Sequence, residues 1–350
     1  ASGPFGYLAE KASTNLALQS EDFTTSWIPF NATVAANAAV APDGTTTMDR
    51  LVVTTANTSH DVFQSRTGVA GTNYTHSVYM KSDGARYAGV TLHANGSDFI
   101  AVVVDLFTGL VTDTEVGNTS GTIVATGCED AGNGIYRVWV SGNVNGTMPY
   151  MISFISDVAV PATWSNGRPS YTGVLGEDIL LWGAQAELGT YPTSYIPTTT
   201  TAVTRNADVL IAGDMVTDAA GSGYAEISSI WAVDYVASKY LLDRGANYKG
   251  RIFYRNAGLS TLMSSYDGTN LSTVNSLTSY QNTPTPFAST WGNNLIVYKD
   301  GVSGNITAYD GTMGAGNLSI GSTYAGGSQW DGTIRHVKIL STELTAAEVA

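Results

Sequence analysis

Short runs of alternating or β-branched residues recur along the whole chain. In the first half they fall at 48–54 (MDRLVVT), 74–81 (YTHSVYMK), 87–93 (YAGVTLH), 100–105 (IAVVVD), 121–127 (GTIVATG), 136–141 (YRVWVS), 150–155 (YMISFI) and 179–182 (ILLW). A period of two sends one set of side chains to a core face and the other set outside, so each run predicts a β-strand. Turn formers stand between the runs, among them APDG, SDGA, ANGS, FTGL, GNG and VNGT, and supply the positive-φ positions that hairpins need. Strands this short and this frequent close as a sandwich of jelly-roll type.

The pattern stops near Pro192. Residues 192–208 contain Pro192, Pro197 and a run of threonines, and a proline cannot donate to a central ladder. This stretch is therefore expected to be an extended linker, with residues 1–191 forming one sandwich and 209–350 another. Strand-like runs resume at 224–236, 240–242, 251–254, 261–265, 294–299, 317–321 and 332–340. Asp300-Gly301 reads as a hairpin turn, Ile334, Val337 and Ile339 as the apolar positions of the last strand, and Ser341 or Thr342 as the cap of a short terminal helical turn, with Leu344 and Val349 covering an end of the sandwich. The fold class expected is all-β, two β-sandwich (jelly-roll) domains in tandem.

Composition agrees with that class and narrows the partners. The chain of 350 residues holds 38 Gly but only 16 Lys and Arg, and its formal charge is −13. Such a surface repels phosphate backbones and anionic lipid, so neither nucleic acid nor a membrane is an expected partner. Cys128 is the single cysteine; it excludes an intrachain disulfide and is expected to be a small, buried or half-buried side chain. No apolar run approaches the length of a spanning helix.

Three segments of the first half carry a resemblance. GYLAEKASTNLALQSEDFTTSW (6–27), NYTHSVYMKSDGARYAGVTL with GNGIYRVWVSG, and WGAQAELGTYPTSYIPTTTTAVTRNAD (182–208) resemble the opening, internal and closing segments of carbohydrate-binding-like sandwich domains that recur in tailed-bacteriophage virion proteins. In the second half, WGNNLIVYKDGV (291–302) and NLSIGSTYAGGSQWDGTIRHVKILSTELTAAEV (317–349) are similar to the terminal strands of laminin-G and concanavalin-like lectin domains. The resemblance implies a non-enzymatic structural protein at the virion surface, decorating the virion as a capsid cement or head fibre or as a tail appendage. It also implies contacts with capsid or tail subunits and assembly as a homotrimer. The alternative it carries is a tail-fibre or spike tip that binds host-cell glycan. Coiled-coil heptads, collagen-like repeats and a basic anchor segment do not occur in the sequence, so a compact surface protein is expected over a long fibre.

Candidate chemistry is sparse. No H-E-x-x-H, Cys/His cluster, G-x-S-x-G elbow or phosphate-cradling glycine loop occurs, and His60, His76, His93 and His336 are far apart. Adjacent carboxylates at Glu21-Asp22, Glu129-Asp130 and Glu177-Asp178 would point to opposite strand faces, which suits no acid/base pair. No catalytic residue is therefore assigned and no cofactor is required. By resemblance, a structural Ca²⁺ would bridge the opening and closing strands through Glu21 or Asp22 and Asp178. Glycan binding needs exposed rings beside hydrogen-bonding groups. Trp139, Trp182 and Trp231 lie in apolar strands and read as core. The rings in turn-like, polar surroundings are the platform candidates: Trp164 with Asn166 and Arg168, Tyr248, Tyr324 and Trp330.

Overall fold

The computed structural model describes residues 6–69, 71–94, 98–117, 121–144, 150–216, 218–229, 238–244, 250–255, 262–275, 283–314, 316–323 and 327–349. The described chain is all-β apart from one short helix, Ala346–Val349. It divides into two compact units, Ser13–Arg205 and a second made of Ala1–Ala12 with Asn206–Ala350.

The Ser13–Arg205 unit is a sandwich of two antiparallel six-stranded sheets. The first sheet runs, edge to edge, Leu110–Gly117, Phe99–Asp105, Tyr87–His93, Tyr150–Ser156, Asp61–Ser65 and Ile28–Phe30. The second runs Thr122–Gly132, Ile135–Asn143, Tyr74–Asp83, Asp178–Leu188, Met48–Val53 and Ala32–Ala39. Alternation decides what each strand puts inside. Val90, Leu92, Ile100, Val102, Val104, Met151 and Ile155 from the first sheet meet Leu51, Val78, Met80, Val138, Val140, Ile179 and Leu181 from the second in one apolar core. Each such side chain contributes roughly 1.5–3 kcal/mol through removal from water. Phe99–Asp105 is buried on both faces, as its unbroken apolar run requires.

His76 shares this core-facing row. It is fully buried, its Nδ1 lies 3.3 Å from the Thr91 carbonyl oxygen, and burial lowers its pKa to about 4. Cys128 is half-buried against the same core, and burial, with Glu129 nearby, pushes its thiol up to about 12.

The 192–208 segment departs from the expected linker. Tyr191, Thr193, Ile196 and Thr198 are buried, and Val203–Arg205 pairs antiparallel with Ser13–Asn15. Prolines leave this segment short of ladder donors, and side-chain groups take the ladder's place. The Asn15 amide donates to the Ile196 and Ala184 carbonyls at 2.8 and 3.0 Å, the Ile196 N–H donates to Gln185 Oε1 at 2.7 Å, and the Ser20 N–H donates to the Thr198 carbonyl at 3.2 Å. The segment is thus a strap on this unit as far as Arg205.

The first twelve residues also depart from the expected boundary. Tyr7–Ala9 pairs with the last strand, Gly332–Leu340, with Tyr7 opposite Ile334 and Ala9 opposite Gly332. Glu10 and Asp208 exchange two 2.9 Å bonds, and the Lys11 N–H donates to the buried Asp331 carboxylate at 3.0 Å. A strand at each end of the chain completes one sheet, a pairing that local pattern cannot announce.

In this second unit that sheet continues from Gly332–Leu340 through Gly221–Ser229, Thr285–Trp291 and Asn294–Lys299 to Val302–Ser303. The other sheet runs Leu210–Ala212, Leu318–Ile320, Lys239–Arg244, Arg251–Arg255, Leu262–Tyr266 and Leu271–Asn275. Trp291, Trp330, Phe287, Leu241, Met263 and Val297 are buried. Asp300 and Gly301 have φ of 49° and 74°, the hairpin turn expected of them. The terminal helix is capped by Thr345 rather than Ser341 or Thr342: the Thr345 N–H and hydroxyl both donate to Glu348 Oε2 at 2.8 Å, because only Thr345 stands three residues before a carboxylate.

Candidate functional site

The outer face of the first sheet of the Ser13–Arg205 unit carries a concentration of rings. Strand alternation builds it: with Val62, Met151 and Leu92 turned inward, Phe63, Tyr150 and His93 point out. Phe63 and Tyr150 meet edge-on at 6.0 Å, and Tyr150 and His93 lie 5.5 Å apart. Phe30 extends the row on the edge strand and is exposed. Tyr87 stands on the same face, half-buried, with the Arg86 guanidinium 5.2 Å over its ring.

A two-stranded hairpin, Trp164–Ser165 with Arg168–Pro169, lies on this face. Asn166 and Gly167 form its turn with φ of 50° and 78°, the Asn-Gly chemistry of a type I′ hairpin. Gly167 is needed for a second reason: a Cβ there would come 2.6 Å from Thr91 Cγ2, and Thr91 Oγ1 donates to the Gly167 carbonyl at 2.6 Å. Trp164 stacks on Phe99 with 5.8 Å between centroids and meets Phe154 edge-on at 5.8 Å. It remains half-exposed.

Arg168 ties the hairpin to the row of rings. Its Nε lies 2.9 Å from the Asp61 carboxylate, its guanidinium is 5.1 Å from the Phe63 ring centre and 6.0 Å from Phe30, and its Nη1 donates to the Asn166 carbonyl at 3.0 Å. Asp61 is fully buried, and that burial pushes its carboxyl up to about 6 even against the downward pull of the Arg168 charge. The structure therefore brings Trp164, Asn166 and Arg168 together as a ring flanked by an exposed amide and a guanidinium.

The other sequence candidates fare differently. Trp330 is fully buried with its indole N–H donating to the Ser228 carbonyl at 3.1 Å. It is a core residue and no platform, because a polar loop in sequence can still enter the core just before a strand. Tyr248, Tyr324 and Trp231 lie outside the described residues. Trp182 is buried as expected, but Trp139 is half-exposed on an outer face, since Val138 and Val140 on either side of it take the core positions.

Glu21, Asp22 and Asp178 are not gathered as a ligand set. Among the described residues no three His, Cys, Asp or Glu side chains form a group able to hold a metal ion. Asp22 caps its own turn, accepting from the Thr24 N–H at 2.9 Å; burial opposes its charge, but hydrogen bonds from Thr24 and Thr25 hold its carboxyl below the usual value. Asp178 accepts from the Val53 N–H at 2.9 Å, and Glu21 from the Tyr195 hydroxyl at 3.1 Å. Each residue has an oxygen engaged in holding its own turn, backbone or a ring, and the three are not gathered as a calcium site.

Phe63, Tyr87, His93 and Tyr150 belong to no motif that marks them as platform candidates in the sequence. A usable signal is present in YMISFI, where period two places Tyr150, Ile152 and Phe154 on one face and Met151, Ser153 and Ile155 on the other.

In the second unit, a groove of about 370 Å³ is lined by Tyr224, Lys338, Leu340, Leu344, Glu348 and Val349 among others. Leu344 and Val349 thus cover part of a sheet, as expected of them. Residues 231–350 match the family Laminin_G_3, described as the concanavalin A-like lectin/glucanases superfamily. They form a concanavalin A-like lectin/glucanase domain.

The solved structures similar to the chain are distant. A mouse laminin alpha1 chain, domains LG4-5, is 10% identical with a TM-score of 0.25, covering 97% of this chain and 92% of that one. Two Trypanosoma rangeli sialidase structures, one in complex with 2,3-difluoro-KDN and one a covalent intermediate with 2,3-difluorosialic acid, are 10% and 11% identical with TM-scores of 0.31, each covering 86% of this chain. The chain spans only 60% and 59% of those sialidase chains. The comparison with curated proteins found no match.

These findings correct one expectation. The expectation that the chain is not an enzyme does not stand, because the matched superfamily is described by lectins and glucanases together. The correction extends no further: at these identities and TM-scores the sialidases support no particular activity.

Proposed function

We propose that this chain is a carbohydrate-binding protein at the surface of a tailed-bacteriophage virion. The observation that carries the carbohydrate reading is the hairpin of Trp164, Asn166 and Arg168 set on a sheet face lined by Phe63, Tyr87 and Tyr150, in a chain whose other unit contains a lectin-like domain. Sugar C–H faces stack on rings, and hydroxyls take hydrogen bonds from the exposed Asn166 amide, whose hairpin Arg168 fastens to the sheet. The virion setting is supported by the resemblance of residues 6–27 and 182–208 to phage domains. A glycan array probed with the wild-type chain and with Trp164→Ala and Tyr150→Ala tests the first part. Binding of a defined glycan that both substitutions weaken is expected, and an array on which neither substitution weakens any signal would overturn the site.

A role in docking on other virion subunits, as a capsid decoration or within a tail appendage, is favoured by a separate observation. Phe107, Leu110 and Val160 are 61%, 63% and 61% exposed, and a 2.8 Å bond from Thr112 Oγ1 to the Ala159 carbonyl brings their loops together at one end of the Ser13–Arg205 unit. Apolar surface of this kind is commonly a contact. A homotrimer, the symmetry usual for such assemblies, is the oligomer proposed; light scattering of the purified chain tests it, and density for the chain in a reconstruction of the intact virion tests the location.

A further inference from the structure

The outer face of the opposite sheet in the Ser13–Arg205 unit holds an arginine that makes no ion pair among the described residues, although Glu129 stands directly opposite it in the register and accepts from Trp139 instead. Arg137 is 7% exposed, in the middle of Ile135–Asn143. Its Nη2 donates to Ser77 Oγ at 3.1 Å, its guanidinium lies 5.4 Å from the centre of the Tyr79 ring, and its Nε has no hydrogen-bond partner. No carboxylate among the described residues pairs with it. The other deeply buried cations are treated differently: Lys239 pairs with Asp331, and Arg244 with Asp214. A buried charge is expensive unless it is paired and hydrogen-bonded, so a guanidinium left in this state marks a place where an anion can complete the set.

The surroundings suit a sugar. Trp139, two residues on and therefore on the same face, lies directly opposite Gly127 in the register. A Cβ at Gly127 would come 2.4 Å from the indole Cε2 and Nε1, so the ring lies flat across the glycine and turns its other side to solvent. The indole N–H donates to Glu129 Oε1 at 3.1 Å. Ser77 stands opposite Trp139 and Tyr79 opposite Arg137 on the neighbouring strand; Ser77 is fully buried and Tyr79 packs against Trp182 and Tyr195, so these two hold the guanidinium in place, and the patch itself is one ring, one carboxylate and one guanidinium.

We propose that Arg137 and Trp139, with Tyr79 and Ser77 holding the guanidinium, form a second carbohydrate site, distinct from the Trp164 face, that takes a carboxylate-bearing sugar unit of an acidic polysaccharide. The guanidinium receives the planar carboxylate through paired N–H donors. The flat indole receives the apolar face of the sugar ring, and Glu129 is in place for its hydroxyls, while the buried Ser77 holds the guanidinium. The inference deepens the carbohydrate reading by naming a ligand class, and it stands on residues that the first site does not use.

The test is titration of the full chain with hexasaccharides of galacturonate, mannuronate and glucuronate, and with neutral hexasaccharides of galactose, mannose and glucose, read by tryptophan fluorescence and calorimetry. Saturable binding of at least one uronate is expected, weakened roughly tenfold or more by Arg137→Gln and by Trp139→Ala, partly retained by Arg137→Lys, which keeps the charge but loses the fork, and unchanged by Trp164→Ala. Should Arg137→Gln fail to fold, Trp139→Ala alone decides, since that ring is half-exposed. No uronate binding across the panel, equal binding of the neutral sugars, or loss in Trp164→Ala but not Trp139→Ala would each overturn the proposal. The first two of these outcomes leave the Trp164 site standing, so the two readings fail separately.

Discussion

Arg168 and Arg137 occupy opposite outer faces of one sandwich, and each lies over an aromatic ring. Arg168 is held by the buried Asp61 at 2.9 Å and by the Asn166 carbonyl; Arg137 has the Ser77 hydroxyl and, among the described residues, no ion-paired carboxylate. One guanidinium therefore fastens a hairpin to the sheet, with its charge already spent inside the protein, and the other keeps its charge for something outside. Residue type and ring neighbours alone do not distinguish a structural arginine from a binding one. The counter-ion does.

The largest effect that sharpens this contrast is in stability. Arg168→Ala removes the partner of a buried carboxylate and should cost about 3–5 kcal/mol in urea unfolding. Arg137→Ala leaves no charge behind and should cost only about 1 kcal/mol. Equal costs would break the comparison.

A second effect is in pH. The folded pKa of Asp61, about 6, lies above its ordinary 3.8, so the folded state takes up a proton first and Asp61 adds stability as pH falls from 6 toward 4. His76 acts in the opposite sense: its folded pKa of about 4 lies below 6.5, so the unfolded state takes up a proton first and stability is lost over nearly the same window. Each contributes roughly 3 kcal/mol at most. The two should nearly cancel in the wild type, while Asp61→Asn should reveal a fall in stability between pH 6.5 and 4, measured by urea midpoints at each pH. An Asp61→Asn profile as flat as the wild type would refute the assignment.

The two tryptophans should separate by less. Trp164 packs on Phe99 and Phe154, and Trp164→Ala should cost about 2–3 kcal/mol; Trp139 rests on a glycine at the surface, and Trp139→Ala should cost about 1 kcal/mol. Gly167→Ala should likewise cost about 1–2 kcal/mol from the positive φ and the approach to Thr91; thermal melts resolve it from zero.

Much of this fold is legible in the order of residues alone. Period two in MDRLVVT, YAGVTLH and YRVWVS places strands at Met48–Val53, Tyr87–His93 and Ile135–Asn143, and the sequence NG at 166–167 and DG at 300–301 marks turns that have the φ values such dipeptides favour. The WSNGR loop is legible as a ring beside an amide and a guanidinium, because all three belong to one hairpin and need no distant partner.

Whatever depends on a distant partner is decided by the tertiary structure. Residues 192–208 read as a linker, and as far as Arg205 the structure makes them a strap, because their hydrogen bonds come from Asn15, Ser20 and Gln185, whose distance in space is independent of their distance in sequence. Tyr7–Ala9 belongs with Gly332–Leu340 for the same reason. Trp330 reads as a surface ring and Trp139 as a core one, yet the structure reverses both, since exposure follows from which face of a strand finds cover, and that is set by the opposite sheet. Local sequence determined the strands, the turns and the all-β class through backbone sterics and side-chain alternation. Only packing decided which rings are free, which carboxylate meets Arg168, and that none among the described residues forms an ion pair with Arg137, because burial and pairing are properties of neighbours that the chain brings together only when it folds.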